Sequence, residues 1–153
     1  MISEIEYLGN QNLLSQRKTA FLASSTIPPD KVLKCYDWAA GKYEGCVISG
    51  FSSKLEKDVL HFLLKSKCPI VMVLARKMYK ELPEELKKPL AEGRLLIIST
   101  SKAPRQSKHT AFERNKYVCE QSDAIIFVGV TPKSCLNPLK ESYSTKSVSI
   151  ENV

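Results

Sequence analysis

Cys46-Val47-Ile48-Ser49-Gly50-Phe51-Ser52-Ser53 is a short apolar run that ends abruptly in a glycine and small hydroxyl residues. The run is continuous rather than alternating, which suits a strand covered on both faces. Ser53-x-x-Glu56 follows at once as a capping box, and it opens a helix over Lys54 to Lys67. Leu55, Val59, Phe62 and Leu63 form one apolar stripe along that helix, the face expected to lie on the sheet. A buried strand, a tight polar turn and a capped amphipathic helix are one unit of an α/β fold with a parallel sheet.

Working outward, the same unit recurs. Further short apolar runs fall at Ala20 to Ser24, Ile70 to Leu74, Leu95 to Ser99 and Ala124 to Val130, giving five predicted strands. Pro28-Pro29-Asp30 precedes a helix over Lys31 to Ala40 that Gly41 ends. A shorter helix is expected around Leu82 to Leu86, limited by Pro89. Thr110-x-x-Glu113 reads as a second capping box, which puts Arg114 and Asn115 in the first turns of a helix reaching about Ser122. Ser101 to His109, with Lys102, Arg105 and Lys108, reads as a basic flap. Residues 1–18 are expected to form an arm, 19–141 the domain, and 142–153 a polar tail in which Ser147 to Ile150 alternates as an edge strand would.

Composition narrows the class. With 153 residues, 43% of them hydrophobic and 25% charged, the chain fits one globular domain. No stretch approaches the roughly 20 apolar residues of a membrane span, and Met1-Ile2-Ser3-Glu4 lacks a secretion signal, so a cytoplasmic protein without a membrane partner is expected. Cys35, Cys46, Cys68, Cys119 and Cys135 are odd in number and widely spaced, which favours reduced thiols over disulfides or a metal knuckle. The net charge of +7 is concentrated. Between Lys65 and Lys116 thirteen lysines and arginines face five glutamates. Such an excess is the footprint of a polyanionic partner, although a solvated helix face accounts for Lys77, Lys80, Lys87 and Lys88 equally well.

Ligands of open α/β sheets sit outside the carboxyl ends of the strands. Ser24 and Ser25, then Ser49, Gly50, Phe51, Ser52 and Ser53, fall on that rim. Gly50 permits close backbone approach, and the amides opening the next helix favour an anion. Serine as a cap and glycine as a turn residue explain the same stretch without a ligand. Arg114, Asn115 and Lys116 weigh toward a ligand, because Arg offers a planar fork to phosphate and Asn both donates and accepts. A surface salt bridge at Arg114 is the plainer alternative. His61 and His109 stand far apart without a nucleophile nearby, Glu56 is accounted for by its capping box, and neither paired carboxylates nor metal-ligand spacing occurs, so no cofactor, metal or catalytic residue is assigned.

Taken together, Ser49-Gly50-Phe51 and Phe112-x-Arg114-Asn115-Lys116 resemble the Ser-Gly-Leu-Ala and Phe-x-Arg-Asn-Arg motifs of the DNA-processing protein A (DprA/Smf) family. The resemblance runs from about Thr19 to Leu139 and includes the order of the strands. It implies a single Rossmann-like three-layer domain. It also implies binding of single-stranded DNA or a nucleotide through Ser49, Gly50, Phe51, Arg114, Asn115 and Lys116, a homodimer, and a recombinase partner in DNA processing. Where the family has Gly-Ser-Arg this chain has Ala23-Ser24-Ser25, without the arginine. The alternative is a small-nucleotide sensor, or a nucleotide phosphoribohydrolase like the related LOG enzymes. The Pro-Gly-Gly-x-Gly-Thr-x-x-Glu loop of LOG enzymes is absent, and with it their general acid.

Overall fold

Five apolar segments pair side by side in the computed structural model, which describes residues 4–41 and 45–150. They are β2 (Lys18–Ala23), β3 (Cys46–Ser49), β4 (Ile70–Leu74), β5 (Leu95–Ser99) and β6 (Ala124–Val128). All run parallel. Two further strands flank them: β1 (Glu6–Gly9) lies antiparallel on β5, and β7 (Ser147–Val148) lies parallel on β6. The sheet order is β1-β5-β4-β3-β2-β6-β7.

Side chains alternate across this sheet and fill two cores. Phe21, Val47, Ile70, Met72, Leu95 and Ile97 face α1 (Pro29–Ala40), α2 (Lys54–Lys65) and α3 (Glu84–Ala91). Leu22, Ile48, Val71, Val73, Leu96 and Ile98 face α4 (Lys108–Gln121), α5 (Asn137–Ser142) and a 3-10 turn at Gln11–Ser15 that buries Leu13. This is the Rossmann-like three-layer arrangement. The chain steps outward from β2 to β5, then returns to place β6 on the other side of β2, so the strand order reverses at β2. Crossovers of one hand then put α1 to α3 on one face and α4 on the other.

Four expectations shift on contact with the structure. The stretch read as an arm supplies β1, whose residues are all exposed and so leave no apolar pattern to read. The tail opens with a 3-10 turn at Ser144–Lys146 and supplies the expected edge strand, β7, over two residues rather than four, while residues 1–3 and 151–153 lie outside the described part. Pro89 sits inside α3 rather than ending it, two residues before the helix end. Most consequentially, α4 starts earlier than expected. Ser107 Oγ accepts from Thr110 N at 3.1 Å, and Thr110 Oγ1 accepts from Ser107 N at 2.8 Å. That box wins over Thr110-x-x-Glu113 and moves Arg114 and Asn115 to the end of the second turn, away from the positive end.

Burial also sorts the thiols. Cys35, Cys46, Cys68 and Cys119 are buried and Cys135 is exposed. Burial pushes the Cys35 thiol up to about 11, and those of Cys46 and Cys119 up to about 12. At a pKa near 12 only about one thiol in 10⁵ is thiolate at pH 7. Ellman titration of the folded protein is therefore expected to give one fast-reacting thiol, lost in Cys135→Ser, with the rest appearing only on unfolding. A second fast thiol in the native state would contradict this packing.

Candidate functional site

The turn after β3 is held by its own side chains. Ser49 is buried, and its Oγ accepts from Phe51 N at 3.1 Å. Phe51 takes the left-handed conformation, φ +48°, at a cost of roughly 1–2 kcal/mol, and its ring packs into the core. Ser53 caps α2 with the box expected from the sequence. Glu56 does more than close that box. Its carboxylate, 4% exposed, accepts from Ser52 N (2.9 Å) and Ser53 N (3.3 Å) through Oε1, and from Ala23 N (2.9 Å) through Oε2. The end of β2 is thereby bolted to the β3–α2 turn.

Arg114 reaches this turn from α4, on the other side of the sheet. It is 2% exposed, and its guanidinium donates to Val73 O (3.1 Å), Ser52 Oγ (3.0 Å), Asn115 Oδ1 (2.7 Å) and, more distantly, Gln106 Oε1 (3.5 Å). Gly50 lies flat against it: a Cβ there would sit 2.3 Å from Arg114 Cζ. Gly50 is thus required by close approach to a side chain. Burial lowers the Arg114 pKa, and nearby Glu56 opposes that pull. Arg114 therefore orders the rim from within, Asn115 orients Arg114, and Lys116 is exposed.

Gly50, Phe51, Ser52 and Arg114 share one cavity of about 630 Å³, whereas Ser24, Ser25, Ser49, Ser53, Asn115 and Lys116 do not line it. Ser24 Oγ donates to Gly129 O at 2.7 Å, which ties β2 to β6 where the strand order reverses. A second cavity of about 570 Å³ opens there, with Thr26, Lys31, Thr131 and Lys140 around it. The predicted serines thus divide between two places on one rim.

The larger cavity has an apolar floor of Phe51, Leu60, Met72 and Leu86. Arg76 stacks on Tyr79, 4.6 Å from the ring centroid, beside it. Lys77 N donates to Ala103 O at 2.8 Å and Ser99 Oγ to Arg76 O at 2.6 Å, so the loops after β4 and β5 are joined into one lip. That lip carries Arg76, Lys77 and Arg105, while Lys57, Asp58, His61 and Glu85 line the helix side of the cavity. Lys102 is held by Glu4, which raises its pKa. Asp58, His61, Tyr79, Glu85 and Gln106 were not anticipated from the sequence. The rule that ligands gather at strand ends points to the turn after β4, and so to Arg76 and Tyr79, but no local pattern marks the others.

Among the described residues, no helix is long and apolar enough to cross a membrane, and no three His, Cys, Asp or Glu side chains are grouped to hold a metal ion. No protein-family model matches the chain, and no curated protein matches it in sequence. Its structure is similar to solved ones. DNA processing protein A (DprA) from Streptococcus pneumoniae matches with a TM-score of 0.76 at 16% identity, over 95% of this chain and 54% of its own. DNA processing protein A from Helicobacter pylori, for which a single-stranded DNA binding mode is described, matches with a TM-score of 0.73 at 19% identity, over 97% of this chain and 72% of its own. This chain therefore spans about half the length of the pneumococcal protein. By these two likenesses the chain has the fold of DprA.

Proposed function

We propose that this protein binds single-stranded DNA along the carboxyl-end rim of its sheet. The observation that carries the reading is the cavity beside Gly50 with its basic lip, set in a fold it shares with a protein described as binding single-stranded DNA. Lip cations contact phosphates and release counterions, and the cavity receives what projects from the backbone. Gly50, Ser52 and Arg114 hold the surface in shape rather than supplying the main phosphate contacts. A homodimer and a recombinase partner, both implied by the family resemblance, extend the same reading, and light scattering and recombinase co-sedimentation on DNA test them.

Fluorescence anisotropy of a labelled single-stranded oligonucleotide is the direct test. With about four phosphates neutralised, the logarithm of affinity should fall with the logarithm of salt at a slope near −3. Reversing Lys77 and Arg105 together to Glu is expected to weaken binding about tenfold or more while the fold persists, since both are exposed. Unchanged affinity in that variant would remove the lip from the site. The cavity volume also lies within the roughly 300–1,000 Å³ of small-molecule sites, which favours a mononucleotide as the second reading. A mononucleotide that competes as well as the oligomer would select that reading.

A further inference from the structure

β1 is the one antiparallel strand among those described, so it brings its amino end to the rim where the parallel strands finish. Glu6 pairs with Ser99, the last residue of β5, and Glu4 lies two residues further out. The acids of β1 therefore stand beside the loop that follows β5. That loop belongs to the basic lip, since Ala103 O accepts from Lys77 N at 2.8 Å and Arg105 follows in the same stretch.

Lys102, directly before Ala103, forms an ion pair with Glu4. The two side chains are 66% and 61% exposed, so the pair lies in water at the edge of the lip, open to another anion. Glu4, aided at longer range by Glu6, raises the pKa of the Lys102 ammonium. An exposed pair of this kind is weak, and a phosphate is a direct rival for the same cation. We propose, resting on the single-stranded DNA reading above, that Glu4 is an internal stand-in for a DNA phosphate. It occupies Lys102 in the free protein and keeps one cation of the lip out of the binding surface.

A strand that follows the rim from Gly50 past β4 to the end of β5 then meets a neutral pair instead of a free charge. The affinity of the lip is set lower by the worth of one exposed ion pair, and the fold pays little for it. β1 is held on β5 by backbone pairing rather than by the Glu4 side chain, so the acid can be removed without removing the strand.

Anisotropy titrations of a labelled single-stranded oligonucleotide at one salt concentration test the contact. Glu4→Gln keeps the size of the side chain and frees Lys102, and it is expected to bind about threefold more tightly than the wild type. Lys102→Ala should change wild-type affinity by less than about twofold, yet cancel the gain when added to Glu4→Gln. Glu120→Gln makes the same change of net charge at the far end of α4 and should leave the affinity near the wild-type value. No gain in Glu4→Gln, or an equal gain in Glu120→Gln, would overturn the role of Glu4. A loss from Lys102→Ala as large in the wild type as in Glu4→Gln would overturn it too, by showing that Lys102 is never withheld. Each of those results leaves DNA binding standing, whereas absence of binding in every variant and in the wild type would bring down the DNA reading itself.

Discussion

Glu56→Ala is expected to lose about 3–5 kcal/mol of folding stability, read as a lowered urea midpoint with little change in slope. Ordinary capping-box residues contribute roughly 1 kcal/mol. Glu56 is worth more because one carboxylate, almost wholly buried, satisfies the amides of Ala23, Ser52 and Ser53. Removing it orphans donors at the ends of two strands and takes away the carboxylate whose charge favours the buried guanidinium of Arg114. Against a total stability of about 5–15 kcal/mol for a domain, that loss brings the protein near its threshold. Glu56→Gln keeps one acceptor oxygen and turns an NH₂ toward N–H groups, so it should recover only part of the loss. A cost of about 1 kcal/mol or less in Glu56→Ala, the value of a plain cap, would show that the bolt to β2 carries little.

The second large effect is at Gly50. An alanine there would drive its methyl into the Arg114 guanidinium, with contacts of 2.3 to 2.5 Å to Cζ, Nη1 and Nε. A free arginine would swing aside cheaply. This one is pinned to Val73 O, Ser52 Oγ and Asn115 Oδ1, and moving it breaks those bonds inside the protein. The expected cost is about 2–4 kcal/mol, together with weaker oligonucleotide binding as Ser52 and Gln106 lose their anchor. Arg114→Ala alone should cost about as much, by leaving a void and unpaired acceptors. The double variant Gly50→Ala with Arg114→Ala should then fall short of the sum by roughly 1–3 kcal/mol, because the second change removes the obstacle to the first. Strict additivity in the double-mutant cycle would refute the contact.

How far the sequence could be read follows from these same residues. β3, β4 and β5 have the bounds expected of them, since each is buried over its whole length and apolar throughout except for the serine that closes β3 and β5. The Ser53-x-x-Glu56 box was legible because both partners are local. β1 was not, because its pairing with β5 is backbone to backbone and its side chains face water. The start of α4 was misplaced because Ser107 and Thr110 cap each other reciprocally, a pairing that lies outside the Ser/Thr-x-x-Glu/Gln pattern. Arg114 reads from its own segment as a ligand contact, and that Gly50, 64 positions earlier in the sequence, lies against it cannot be read there. The carbonyl of Val73 is equally remote. A side chain whose partners come from other elements has no signature in its own segment, and the cavity lined by α2, α3 and three loops belongs to the same class.

The position of β2 bears on how such a chain can be made. It is the first of the parallel strands to leave a ribosome, yet it lies between two of them. One neighbour, β3, follows soon. The other is β6, and the hydrogen bond from Lys18 N to Asp123 Oδ2 that sets its register spans 105 residues. Until that segment has been synthesised, one backbone edge of Ala20, Phe21 and Leu22 has no native partner. Vectorial synthesis therefore cannot close this sheet strand by strand. The nascent chain carries an adhesive edge on β2 until β6 has emerged, and the sheet closes on that side only by the insertion of β6 beside the oldest strand.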